Sequence, residues 1–201
     1  VALAYSARLS RARWPHGLNR VVGLGYAVPG SVIAVGVLIP VTRLDNWLAD
    51  AVAAWTGSSP GLILTGGIAA LVYAYLVRFL SLSLQTVEAS LGKITPSMDD
   101  AARSLGSGQA ATLRRVHLPL LRGSLLTAGL LVFVDVMKEL PATLVMRPFN
   151  FDTLATQAYT LASDERLAEA STAALATVAV GILPLIAVSR QIASGKSAQA
   201  C

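Results

Sequence analysis

Four long apolar blocks constrain this chain more than any single motif does. They run about Arg20 to Thr42, Gly61 to Leu84, Gly123 to Met146 and Ala168 to Ser189. Each has roughly the 20 residues that a helix needs to cross a bilayer at about 1.5 Å per residue. Hydrocarbon offers no partner to an unpaired backbone group, so a span must be a helix or a strand of a closed barrel. These blocks are too long for strands. Composition agrees, with 54% hydrophobic and 13% charged residues, where a soluble domain carries about 25% charged. The expected fold is an all-α, multi-spanning transmembrane helical bundle of about four spans. The glycines and two prolines of the first block would be costly in a water-exposed helix, but neighbouring helices compensate for them in membranes.

Charge placement tests this reading independently. Alternating spans divide the connecting segments into two sets. The N-terminal arm, the 83–122 loop and the C-terminal tail hold Arg8, Arg11, Arg13, Arg20, Arg78, Lys93, Arg103, Arg114, Arg115, Arg122, Arg190 and Lys196. The other set holds Arg43, Arg147 and Arg166, together with Asp45, Asp50, Asp152, Asp164, Glu165 and Glu169. By the positive-inside rule the first set faces the cytoplasm, and both ends of the chain with it. The net charge of +5 then reflects cytoplasmic loops, and no nucleic-acid partner is expected. The chain begins at Val1 without a signal-peptide pattern, so we expect a C-terminal fragment lacking at least one preceding helix.

The 83–122 loop is too long for a simple connection. Thr95-Pro96-Ser97 reads as a helix start, with proline at a tolerated early position. Asp99 and Asp100 follow in the first turn, where the helix dipole favours negative charge. Ser97 and Asp100 have capping-box spacing. Gly106 and Gly108 supply the stop. The spacing predicts a short helix over about Pro96 to Leu105, then a second helical stretch from about Gln109 to Val116 leading to Leu118-Pro119.

The sequence Asp100-Ala101-Ala102, three residues, Gly106, nine residues, Val116-His117-Leu118-Pro119 resembles the EAA loop of binding-protein-dependent ABC permeases. The spacing matches throughout, with Asp in place of Glu and Val in place of Ile. The resemblance implies that the short helix is a coupling helix docking on a cytoplasmic ABC ATPase dimer, with Asp100, Ala101, Ala102, Arg103 and Gly106 carrying the contact. Leu118 and Pro119 would fix the entry to the third span. Lys138-Glu139-Leu140-Pro141-Ala142-Thr143-Leu144, followed by Arg147-Pro148-Phe149-Asn150-Phe151-Asp152-Thr153-Leu154-Ala155, resembles ferric-iron import permeases. Thiamine permeases are near relatives of that group. The similarity starts near Tyr26-Ala27-Val28-Pro29-Gly30 and implies one permease domain over 1–201. Further implied partners are a periplasmic substrate-binding protein and a second permease half or subunit, all in or at the bacterial inner membrane. The protein would bind no cofactor itself, ATP being held by the partner.

Asp135, Lys138 and Glu139 interrupt the third block at helical spacing, so Lys138 can meet Asp135 one turn away. Ionisable groups at membrane depth are expensive and face a bundle interior or water. They read either as part of a translocation path or as a neutralised cluster pinning a kink before Pro141.

Other patterns carry no chemistry. Gly195-Lys196-Ser197 lacks the first glycine of a phosphate-binding loop, since Arg190 stands there. Gly23-Leu24-Gly25 is a packing feature. His16 and His117 lack metal-ligand spacing, and His117 is expected as a polar residue at the membrane surface. Cys201, the lone cysteine, excludes an internal disulfide. The expectation is a transport subunit and not an enzyme, with no metal site and ferric iron as cargo. The same machine could serve thiamine, sulfate or a polyamine. A different class, an ion-coupled secondary transporter, would use the buried charges instead.

Overall fold

The computed structural model describes residues 1–197 apart from Arg11 and Ser59. Those two and residues 198–201, Cys201 among them, lie outside the described residues, as do the side chains of 187–188 and 191–197, including Lys196. The structure is 79% helical without strands among the described residues, so the all-α expectation holds. The elements are α1 (Ala2–Leu9), α2 (Arg13–Gly23), α3 (Gly30–Thr56), α4 (Ala69–Leu91), α5 (Pro96–Ser104), α6 (Gln109–Thr112), α7 (Leu118–Leu120), α8 (Arg122–Met137), α9 (Pro141–Met146), α10 (Leu154–Ser163) and α11 (Leu167–Ser197). A π-helical turn, Leu113–His117, joins α6 to α7.

Among the described residues, α3, α4 and the Leu167–Ile186 part of α11 are long and apolar enough to cross a membrane. Gln109–Leu120 and α8 together pass the same test, although they meet at a bend of 73°. Three of the four expected blocks contain such a helix, and the bent pair makes a fourth, but the bounds shift: α4 runs Ala69–Leu91 where about Gly61 to Leu84 was expected, and the third block breaks between α8 and α9. The first block was expected at about Arg20 to Thr42, but α2 ends at Gly23 and the long helix starts only at Gly30. Pro29 fixes this start: it sits at the N-cap of α3 with φ −54° and ψ 140°, and proline has no N–H to continue a preceding helix. Pro40 is accommodated inside α3, which ends at Gly57 with φ 71°.

The chain divides into two compact units. The first comprises Val1–Leu24, Leu80–Phe133 and Leu183–Cys201. Its core gathers Ala4, Leu84, Val87, Leu91 and Leu121, with Val22, Ile94 and Leu125 packed against it. The second comprises Gly25–Phe79 and Val134–Ile182. Here α3, α4 and α9 meet through Ile33, Ala34, Val37, Ala70, Leu71, Ala74, Ala142 and Met146. Half of these residues are alanines, which let helix backbones approach closely where water supplies no hydrophobic drive. Outward faces are apolar too: Leu76, Leu175 and Leu183 are more than 60% exposed. That suits a lipid solvent or a helical partner and not water.

Candidate functional site

In the first unit, α5 forms where the motif spacing placed it. Thr95 is the N-cap and Pro96 the first helical residue. The Ser97–Asp100 capping box does not form. The helix starts one residue before Ser97, so that hydroxyl meets the Thr95 hydroxyl at 2.9 Å, and Asp100 pairs with Arg103 at 3.5 Å on the exposed face. At the other end, the Gly106 N–H donates to the Arg103 carbonyl and the Ser107 N–H to the Ala102 carbonyl. With Gly106 at φ +77°, these bonds make a Schellman stop, which requires a left-handed residue at that position. Glycine at motif position 106 meets that demand without the cost a Cβ would bring.

The faces of α5 divide the candidate residues. Asp100, Ala101, Arg103 and Gly106 are exposed, and Leu105 is 86% exposed. Ala102 is turned inward and buried, so Ala101 is the alanine of the pair that faces out. Leu118 is half-buried and Pro119 exposed, at the start of α7.

Behind α5 lies a cluster that sequence reasoning did not assemble. Asp99 is 9% exposed. Its Oδ2 accepts from Arg8 Nε at 3.1 Å and Nη2 at 2.9 Å, and its Oδ1 from His117 Nε2 at 2.6 Å. An ionised carboxylate can only accept, so His117 carries its proton on Nε2. Arg8 also donates to the carbonyls of Leu91 at 2.5 Å and Ile94 at 2.8 Å. Tyr5 packs its ring 5.1 Å from that of His117 and donates to the Gln109 carbonyl at 3.2 Å. Burial pushes the Asp99 carboxyl up, but the bonds from Arg8 and His117 outweigh it and hold it below its ordinary range. His117 was expected at the membrane surface. It is instead 0% exposed, because the π-turn that carries it aims the ring at Asp99. Arg8 and Asp99 are 91 residues apart and Asp99 and His117 are 18 apart, and no local pattern links them.

The second unit holds the charges of the third block, and it separates them. Lys138 Nζ meets Asp135 Oδ1 at 2.7 Å, and Tyr26 donates to Asp135 Oδ2 at 2.9 Å. Glu139 turns away. Its Oε2 lies 3.2 Å from Arg78 Nε, and its Oε1 accepts from the Ala142 N–H at 3.2 Å at the start of α9. Arg78 donates to the Val28 carbonyl at 2.8 Å, and its guanidinium stands 5.9 Å from the Tyr26 ring centroid. Arg78 had been counted with the basic cytoplasmic ends; it is committed inside this helical packing. The break expected before Pro141 is real, separating α8 from α9. Among the described residues, no group of three or more His, Cys, Asp or Glu could hold a metal ion.

A third polar feature was not anticipated. Asp45, 0% exposed within α3, accepts from the N–H groups of Ile63 (2.8 Å), Leu64 (2.9 Å) and Thr65 (2.7 Å), and from the Thr65 hydroxyl (2.6 Å). It anchors the segment leading into α4.

Comparison with known proteins fits this architecture. No protein-family profile matches the chain. The Fe(3+)-transport system permease protein FbpB 2 of Haemophilus influenzae is 27% identical over 168 residues, 84% of this chain and 30% of that protein. A permease protein named for a 2-aminoethylphosphonate transport system in Salmonella typhimurium is 24% identical over 173 residues, 86% of this chain and 59% of that one. This chain is similar to ABC importer permeases. A crystal structure of a bacterial alginate ABC transporter, in complex with an alginate-bound periplasmic protein, contains a chain of the same fold. Its TM-score is 0.69 at 15% identity, over 95% of this chain and 70% of that one. The permease-like chain spans about a third of the ferric relative's length, and the relatives named here are transport permeases, not enzymes.

Proposed function

We propose that this chain is part of the membrane-spanning subunit of an ATP-driven ABC importer, with residues 1–201 forming a permease domain. It forms part of the translocation path and couples to a separate cytoplasmic ATPase dimer. The observation that carries this reading is α5. It is a short helix with an exposed Asp100-Ala101-Arg103 face and a Gly106 stop at φ +77°, at the motif spacing of the resemblance. It also lies between α4 and the bent third segment. Asp100, Ala101, Arg103 and Gly106 present the docking surface. Ala102 seats the helix from behind, and Leu118 and Pro119 set the entry to the third span. A second permease half and a substrate-loaded periplasmic binding protein complete the machine in the inner membrane, both ends of this segment being cytoplasmic.

Ferric iron is the cargo we favour, supported by the ferric relatives. The relative named for phosphonate keeps another small solute as the second reading. Ion-coupled secondary transport through Asp135, Lys138 and Glu139 is less well supported, since each already has a counter-charge within 3.2 Å. The test is a detergent pull-down of the co-expressed ATPase by the intact permease, with and without Gly106→Asp. An aspartate at φ +77° strains the helix stop and should lose the ATPase. Equal capture by the variant, or none by the parent, would move ion-coupled transport to the front.

A further inference from the structure

Asp99, Arg8 and His117 lie behind the proposed docking face, and no contact of theirs points outward. Asp99 is one-tenth exposed and His117 fully buried. Together they reach four places in the first unit. Arg8 brings in α1 and the carbonyls of Leu91 and Ile94 at the end of α4. Asp99 brings in α5, and His117 the π-turn that feeds α7 and α8. We propose that Asp99 is a positioning residue that makes α5 one mechanical piece with the helix before it and the turn after it, so that displacement of α5 is passed to α8. This inference rests on the coupling reading of α5.

The physical case is one of stiffness. A helix of nine residues held only by apolar contacts can slide or rotate against its support. A carboxylate holding two charge-assisted bonds from Arg8 and one from His117, away from water, resists both motions, since any displacement strands a buried charge. The π-turn fits the same role. An extra residue in a helical turn costs stability, and such turns concentrate where a side chain must be re-aimed for function. Here the re-aimed side chain is His117. The Schellman stop fixes the far end of α5, so both ends of the helix are tied and only its outer face is left for a partner.

The experiment uses the full permease–ATPase complex in nanodiscs. Hydrogen exchange of peptides within residues 122–133 is compared before and after trapping with ATP and vanadate. The parent should capture the ATPase and show a trap-dependent shift in exchange. Asp99→Ala and His117→Leu should capture the ATPase at parental yield yet lose that shift. His117→Gln, which keeps an N–H donor near the Nε2 position, should retain it. The proposal is overturned if Asp99→Ala and His117→Leu shift as the parent does, or if His117→Gln loses the shift as completely as His117→Leu. Loss of ATPase capture by a folded Asp99→Ala variant would also overturn it, by placing Asp99 in docking. A parent that captures no ATPase refutes the coupling reading itself, which separates that failure from failure of the brace.

Discussion

Arg78 Nε stands 3.2 Å from Glu139 Oε2, joining the middle of α4 to the break between α8 and α9. Both side chains are more than four-fifths buried. Removing one partner strands a buried charge, at a cost of about 3 to 5 kcal/mol, whereas replacing both by apolar groups is far milder. Glu139→Leu alone should therefore lower the melting temperature in detergent sharply, and Arg78→Met with Glu139→Leu should recover most of it. A double variant as unstable as the single one would show that the pair has a role beyond mutual neutralisation.

The three backbone N–H groups around Asp45 predict a graded series. Asp45→Ala leaves the Ile63, Leu64 and Thr65 donors, which are only part-buried, without their acceptor, and a donor so stranded costs at most about 1 to 3 kcal/mol where water cannot reach it. Asp45→Asn keeps one acceptor oxygen but turns an amide N–H₂ towards Thr65. Amide exchange at residues 63–65 should rise modestly in the Asn variant and strongly in the Ala variant. Equal exchange in both would mean that the anchor lies elsewhere.

Two glycines on opposite sides of Pro29 should respond oppositely to alanine. A Cβ on Gly25 would stand 2.6 Å from the Val77 carbonyl oxygen, which is backbone and cannot swing aside. A Cβ on Gly36, within α3, would meet nothing within 4 Å. Gly25→Ala should destabilise the protein, and Gly36→Ala should be neutral or stabilise it by up to about 1 kcal/mol through helix propensity. Thermal melts of the two variants check both signs.

The helix α10 ends in the same Schellman pattern as α5 but with Glu165 at the left-handed position, φ 60°. A residue with a Cβ pays about 1 to 2 kcal/mol there, which glycine avoids, although glycine adds freedom to the unfolded chain. Glu165→Gly should leave the stability unchanged or raise it slightly, whereas Gly106→Ala should lower it. Melting temperatures of the two variants would reveal any departure.

Acid should act on the first unit through Asp99. Its carboxyl is held below the ordinary value in the folded state, so its contribution is fully present above the unfolded value of about 3.9 and is lost as pH falls through the lower folded value. The stability gap between the parent and Asp99→Asn should be constant near neutral pH and shrink below about pH 4. A gap that widens on acidification would contradict the arrangement at Asp99.

Periodic and local signals were readable from the sequence: four apolar blocks, the start of α5 at Thr95-Pro96, its glycine stop, and the Asp135–Lys138 pair one turn apart. Hydrophobic run length and helix-end chemistry act over a few residues, so they leave a mark in the sequence itself. The first span was misplaced because its apolar run continues through Pro29, whose missing N–H is a local stop that hydrophobic run length does not register, and the second because apolar residues 61–68 precede α4 without being helical. The partners of Asp99, His117, Arg78, Glu139 and Asp45 were beyond reach for another reason. Each pairing spans 18 to 91 residues, apart from the contact of Glu139 with Ala142. A buried charge carries no label in the sequence saying which distant group neutralises it, and that choice is made only when the helices pack.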